Sequence, residues 1–172
     1  MPDFKDSYAR VARLIDEKYN VKVSLCDVID PNTGDFDGTQ IKIDNALDLE
    51  TAFFVLLHLF GHTVQWNVSE KSRAVGQDQS PSRTPEHLGI VFDYEKNATR
   101  YGLALMHEAG ILGLERWVSD SWHADWKYLE RLYTTGEKLD YKTLIRPGEG
   151  ELLTPLEIPA FVPRQWGSRW SF

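Results

Sequence analysis

Cysteine is almost missing from this sequence: Cys26 stands alone among 172 residues. That scarcity excludes an internal disulfide framework and suits a reducing compartment. The N-x-S/T triplets at Asn67 and Asn97 are then expected to be incidental, because such triplets matter in secreted chains. Long apolar runs are missing too, and nothing approaches the roughly eighteen residues of a membrane span. The start, MPDFKDSYAR, has no apolar stretch behind a basic end, so no signal peptide and a cytoplasmic location are expected. Positive charge is scarce: 19 Lys and Arg against 26 Asp and Glu give a formal charge of −7. Such a chain repels a phosphate backbone on average, so nucleic acid is not an expected partner, and a protein or peptide partner is left open. What is present is ordinary globular material, 42% hydrophobic and 26% charged, long enough for one core with little room for a second.

Asp3 is placed to cap a helix from Phe4 to Tyr19, with Tyr8, Val11, Leu14 and Ile15 on one face and Asn20 as its stop. Val21 to Val28, rich in β-branched residues, predicts a strand. A turn at Asp30-Pro31-Asn32-Thr33-Gly34 and Gly38 separates it from a second strand at Gln40 to Ile43, and the two are expected to pair antiparallel. Asp35 and Asp37 in that turn miss the spacing of a calcium loop and are assigned ordinary turn chemistry. A helix from near Leu49 to Trp66 is apolar all round through Ala52–Leu57, so it belongs at the centre of the domain. Residues 67–87 are polar and carry Pro81 and Pro85, which predicts a long loop. Two more helices follow, from Leu88 or Asp93 to Ala109 and from Ser119 to Thr134. The second carries an apolar stripe of Val118, Trp122, Trp126, Leu129 and Tyr133. The expected class is α+β: a small antiparallel sheet against a central helix and further helices. Residues 1–136 form the domain, and residues 137–172, rich in Pro and Trp, form an extended arm packed on it.

The chemistry-bearing feature is His58-Leu59-Phe60-Gly61-His62 on the central helix. Residues four apart lie about 40° from each other around a helix axis, so both imidazoles can reach one metal ion. The spacing alone is weak evidence; its setting adds to it, because two unpaired histidines at the end of the most apolar helix would be costly to bury. Against a metal site stands a pair that is solvated or hydrogen-bonded at the rim of the core.

The ordered set of Gln40-Ile41-Lys42-Ile43-Asp44, Glu50, and Leu56-Leu57-His58-Leu59-Phe60-Gly61-His62 resembles the ImmA/IrrE family of zincin-like metallopeptidases. In that family a short edge strand leads into a helix carrying H-E-x-G-H. Downstream, Glu95-Lys96-Asn97-Ala98-Thr99-Arg100-Tyr101-Gly102-Leu103-Ala104-Leu105-Met106 resembles the family's E-x-x-A-x-x-F-A-x-x-L-L-M. The likeness spans residues 40–106. It implies a zincin-like fold and a site for zinc or another divalent transition metal. His58 and His62 would be two of the ligands and Glu95 the third, brought in from the next long helix. Ala98 and Gly102, at helical spacing from Glu95, would let that helix approach closely.

The chain departs from the family at Leu59, which stands where the general base belongs. A leucine can neither take a proton from the attacking water nor pass one to a leaving amine, a contribution worth roughly 10²–10⁴-fold in rate. Thr99 stands at a supporting position that is often acidic. Among substitutes for the base, Glu108 lies about 18 Å along the helix from Glu95. Glu70, Glu86 and His87 flank or lie in the long loop, and His123, with Asp120 and Lys127, is expected on a solvated face. The sequence therefore predicts a metal-holding scaffold, either a degenerate peptidase or one with a relocated base. The competing expectation is a non-catalytic interaction module using its aromatic C-terminal arm, since tryptophans often anchor interfaces.

Overall fold

The computed structural model describes residues 2–29, 32–78, 84–167 and 170–171. Helix α1 (Phe4–Tyr19) begins where Asp3 accepts hydrogen bonds from the Lys5 and Asp6 backbone amides. It ends where Asn20 turns into the left-handed region at φ 55°, a conformation asparagine tolerates better than most residues. Strand β1 (Lys22–Cys26) follows, then β2 (Gly34–Phe36) and β3 (Gln40–Asp44). The Asp30-Pro31 pair of the expected turn lies outside the described residues.

The expected antiparallel sheet is corrected to a mixed one. β1 pairs with β3 in parallel, Lys22 opposite Gln40 and Cys26 opposite Asp44, while β2 pairs with β3 antiparallel. The cause is β2, whose Gly34-Asp35-Phe36 reads in sequence as part of a turn. With β2 present the chain reverses twice between β1 and β3, and two reversals restore the direction. A two-residue strand β4 (Trp170–Ser171) adds to the far edge, giving the order β1-β3-β2-β4. Ile41 and Ile43 on β3 are fully buried on one face, alternating with less buried neighbours as the pleat requires.

Helix α2 (Leu49–Val68) starts at Asp48, whose carboxylate accepts from the Thr51 amide, and from Leu56 to Trp66 every residue is buried. It is the axis of the domain, with the sheet and α1 packed on it. The loop expected at 67–87 is also corrected: α3 (Glu70–Gln77) occupies its first half, capped by the Ser69 side chain on the Ser72 amide. Residues 79–83 of that segment, Pro81 among them, lie outside the described residues. Helix α4 (Pro85–Glu108) starts earlier than expected, with Pro85 in its first turn and Thr84 as its cap. Helix α5 (Glu115–Thr135) stops at Gly136, which is left-handed at φ 73°.

Two glycines and an alanine set the crossing of α2 and α4. A Cβ on Gly61 would lie 1.9 Å from the Ala98 carbonyl oxygen, and one on Gly102 would lie 2.7 Å from that of Leu57. The helix backbones therefore touch, and the contact brings Glu95 to the histidine helix. Beyond α5 a 3₁₀ turn (Tyr141–Leu144) stacks Tyr141 on Phe54. From residue 145 to 167 the chain has no regular element, yet Leu153 is buried and the Trp166 amide donates to the Asp37 carbonyl at 2.9 Å. Among the described residues no helix is long and apolar enough to cross a membrane.

Candidate metal centre

His58 and His62 project from the same face of α2, one turn apart, and Glu95 meets them from α4. Their exposures are 4%, 0% and 1%. His58 Nε2 lies 2.9 Å and His62 Nε2 3.0 Å from the same oxygen, Glu95 Oε2, and the two nitrogens are 3.0 Å from each other. These three side chains are the group whose ligand atoms could hold a metal ion among the described residues.

The outer nitrogens of the two rings decide what the inner ones offer. Gln65 donates through Nε2 to the Tyr94 carbonyl at 2.8 Å, which orients its Oε1 towards His62 Nδ1 at 2.9 Å. An amide oxygen only accepts, so His62 Nδ1 carries the hydrogen and a neutral ring presents a bare lone pair at Nε2. His58 Nδ1 is 3.0 Å from the Thr99 hydroxyl, which itself donates towards the Glu95 carbonyl at 3.4 Å. That hydroxyl is left to accept from His58 Nδ1, so the His58 Nε2 lone pair also faces inward. With both rings neutral, two lone pairs and a carboxylate oxygen converge with no hydrogen between them. A cation reconciles such a set. Tetrahedral zinc with bonds near 2.0–2.1 Å separates its ligands by about 3.3 Å, close to the spacing here.

Burial alone would push the Glu95 carboxyl up; the two imidazoles, where they carry a proton facing it, overcome this and hold it at about 2, so it is a carboxylate. His62 is further fixed by stacking between Phe36 and Tyr94, at ring separations of 5.6 and 4.5 Å. Thr99, where an acidic residue was the expected support, thus orients His58 through its hydroxyl.

Leu59 is fully buried, and a Cβ on Gly34 would lie 2.6 Å from its Cδ1. Position 59 is therefore an apolar plug between α2 and the sheet. The substitutes considered from sequence are elsewhere. Glu108 pairs with Lys18 and accepts from the Tyr19 hydroxyl on α1. His87 is 3.7 Å from Asp78, Glu70 and Glu86 are exposed, and His123 packs on Gly150. Asp120, expected on a solvated face, is instead buried and accepts from the Gly148 amide at 2.9 Å.

The residue that sequence reasoning missed is Asp125 on α5. It lines a cavity of about 540 Å³ together with His58, Leu59, Phe54, Val55 and Tyr141. Burial pushes its carboxyl up to about 7, His58 working against the rise and the Glu95 charge adding to it. A signal existed: Asp125 falls three residues after Trp122 and four before Leu129, inside the apolar stripe, where a charge is out of place. Among the residues whose burial is described, the tryptophans supply little free surface. Trp66 and Trp122 are buried, and Trp117, Trp126 and Trp166 pack against the core. Compared with family models, curated proteins and solved structures, the chain matches none.

Proposed function

We propose that this protein holds a divalent transition metal, zinc first among them, in a zincin-like site resembling that of the ImmA/IrrE metallopeptidases. His58, His62 and Glu95 are its ligands. The observation that carries the proposal is the convergence of two imidazole nitrogens and one carboxylate oxygen, mutually 2.9–3.0 Å apart and buried. Imidazole nitrogen suits zinc, copper, iron and nickel better than magnesium or calcium. Three protein ligands leave a fourth position for a ligand or substrate, which is the arrangement of catalytic rather than structural zinc. With Leu59 in place of glutamate, the histidine helix by itself is a degenerate peptidase motif. A purely structural role for the group is disfavoured by cost, since a carboxylate and two imidazoles are expensive to bury in an apolar helix bundle without compensation.

Metal analysis of untagged protein tests the proposal. One equivalent of zinc or a related metal per chain is expected, and His58→Ala should lose it. A parent chain that purifies and reconstitutes without stoichiometric metal, yet stays folded, removes the proposal and favours an interaction module that keeps only the fold.

A further inference from the structure

The cavity beside His58 has an apolar part, formed by Phe54, Val55, Leu59 and Leu129, and a polar part that includes Lys138 and two carboxylates, Asp125 and Asp140. No hydrogen-bond partner of the Asp125 carboxylate is present among the described residues, although Tyr128 and Tyr141 share the cavity wall with it. A half-buried carboxylate without a hydrogen-bond partner costs stability, and such costs persist where function needs them. His58 lines the same cavity, so the chamber reaches the group of three ligands at His58. Leu59 is in that wall too, so Asp125 shares the chamber with the position where a peptidase helix would carry its glutamate. Asp125 comes from α5, a separate element from both helices of the ligand group.

We propose that Asp125 is the proton-accepting carboxylate of this site, delivered by α5 in place of residue 59 of the histidine helix. This rests on the metal-site reading above and names the substrate class as an acyl compound, an amide or ester whose apolar part the cavity holds. A metal bound by the three ligands would polarise the carbonyl. A proton leaves water for an Asp125 carboxylate oxygen as the water oxygen bonds to the carbonyl carbon. It then moves to the departing nitrogen or oxygen as the bond from carbon to that atom breaks, and the carboxylate is restored. One water is consumed and no electrons change hands.

The test uses full-length untagged protein loaded with Co²⁺ and titrated with acetohydroxamate, a small acyl probe with N–H and O–H donors for a neighbouring carboxylate. Binding is followed in the cobalt absorption bands. Asp125→Asn keeps the side-chain shape and should bind cobalt as the parent does, with an unchanged or higher thermal midpoint. Its acetohydroxamate Kd should rise at least about tenfold, the order expected when a charged acceptor is replaced, and Asp125→Glu should recover part of the loss. Unchanged acetohydroxamate affinity in Asp125→Asn, with cobalt bound, overturns the proposal and leaves the metal site standing. A fall in thermal midpoint together with loss of cobalt assigns Asp125 a structural role and also overturns it. A parent that takes up no cobalt overturns both readings.

Discussion

Each of the two histidines has its outer nitrogen committed to a neighbour, Gln65 for His62 and Thr99 for His58. Hydrogen bonds of this kind fix the tautomer and orientation of an imidazole ring. Asp125 obeys the opposite logic, because burial raises its carboxyl to about 7 and no hydrogen bond offsets that rise. The consequence for stability has a definite sign. In the metal-free protein the unfolded state gives up this proton near the ordinary aspartate value of about 4, while the folded state keeps it to about 7. Between those values the unfolded chain binds fewer protons, so this group makes the folded state less stable as pH rises. Asp125→Asn should therefore gain stability relative to the parent from about pH 4 to about pH 7, read as the difference of urea midpoints. A difference that stays constant across that window contradicts the assignment.

The helices meet closely because small residues stand at the crossing, and the site exists only where α2 and α4 touch. Two glycine substitutions separate this effect from helix propensity. Gly61→Ala sets a Cβ 1.9 Å from the Ala98 carbonyl oxygen, so two backbones must part. A loss of roughly 1–3 kcal/mol is expected, as for other overpacked cores, with weaker metal retention as Glu95 withdraws. Gly89→Ala lies on the exposed surface of α4 with nothing within 4 Å of the new Cβ, and φ is not left-handed. It should gain roughly 0.5–1 kcal/mol from helix propensity alone. Denaturant midpoints of both variants check the pair, and the same sign for both sinks the close-crossing account.

At the scale of the whole molecule, the parts that were legible in the sequence are those set by local rules. Asp3 and Asn20 bounded α1, the unbroken apolar run marked α2 as the centre, and the four-residue spacing put His58 and His62 on one face. What local rules could not show is what the fold assembles from distant segments. β2 is three residues long inside turn-like sequence and takes its place from pairing with β3, so the direction of β1 relative to β3 is not legible from local sequence. α3 is polar and short, with only Gly76 buried, and its one signal was Ser69 acting as a cap. Asp125 belongs to no motif with the residues it joins; 30 positions of chain separate it from Glu95, and only the packing of α5 near α4 unites them. The N-x-S triplet at Asn67 likewise has a structural use, since its side chain accepts from the Arg164 amide and donates to the Gly38 carbonyl. That bond ties residues 145–167 to the body.

The central claim is that α2 and α4 together hold one metal ion through two imidazoles and a carboxylate. X-ray absorption at the zinc edge, on untagged protein reconstituted with one equivalent of zinc, tests it most directly. The account predicts only nitrogen and oxygen neighbours at about 2.0–2.1 Å, with the outer-shell pattern of two imidazole rings that disappears in His62→Ala. A sulfur neighbour near 2.3 Å, which Cys26 alone among the cysteines could provide, or a spectrum of hydrated zinc, would contradict it.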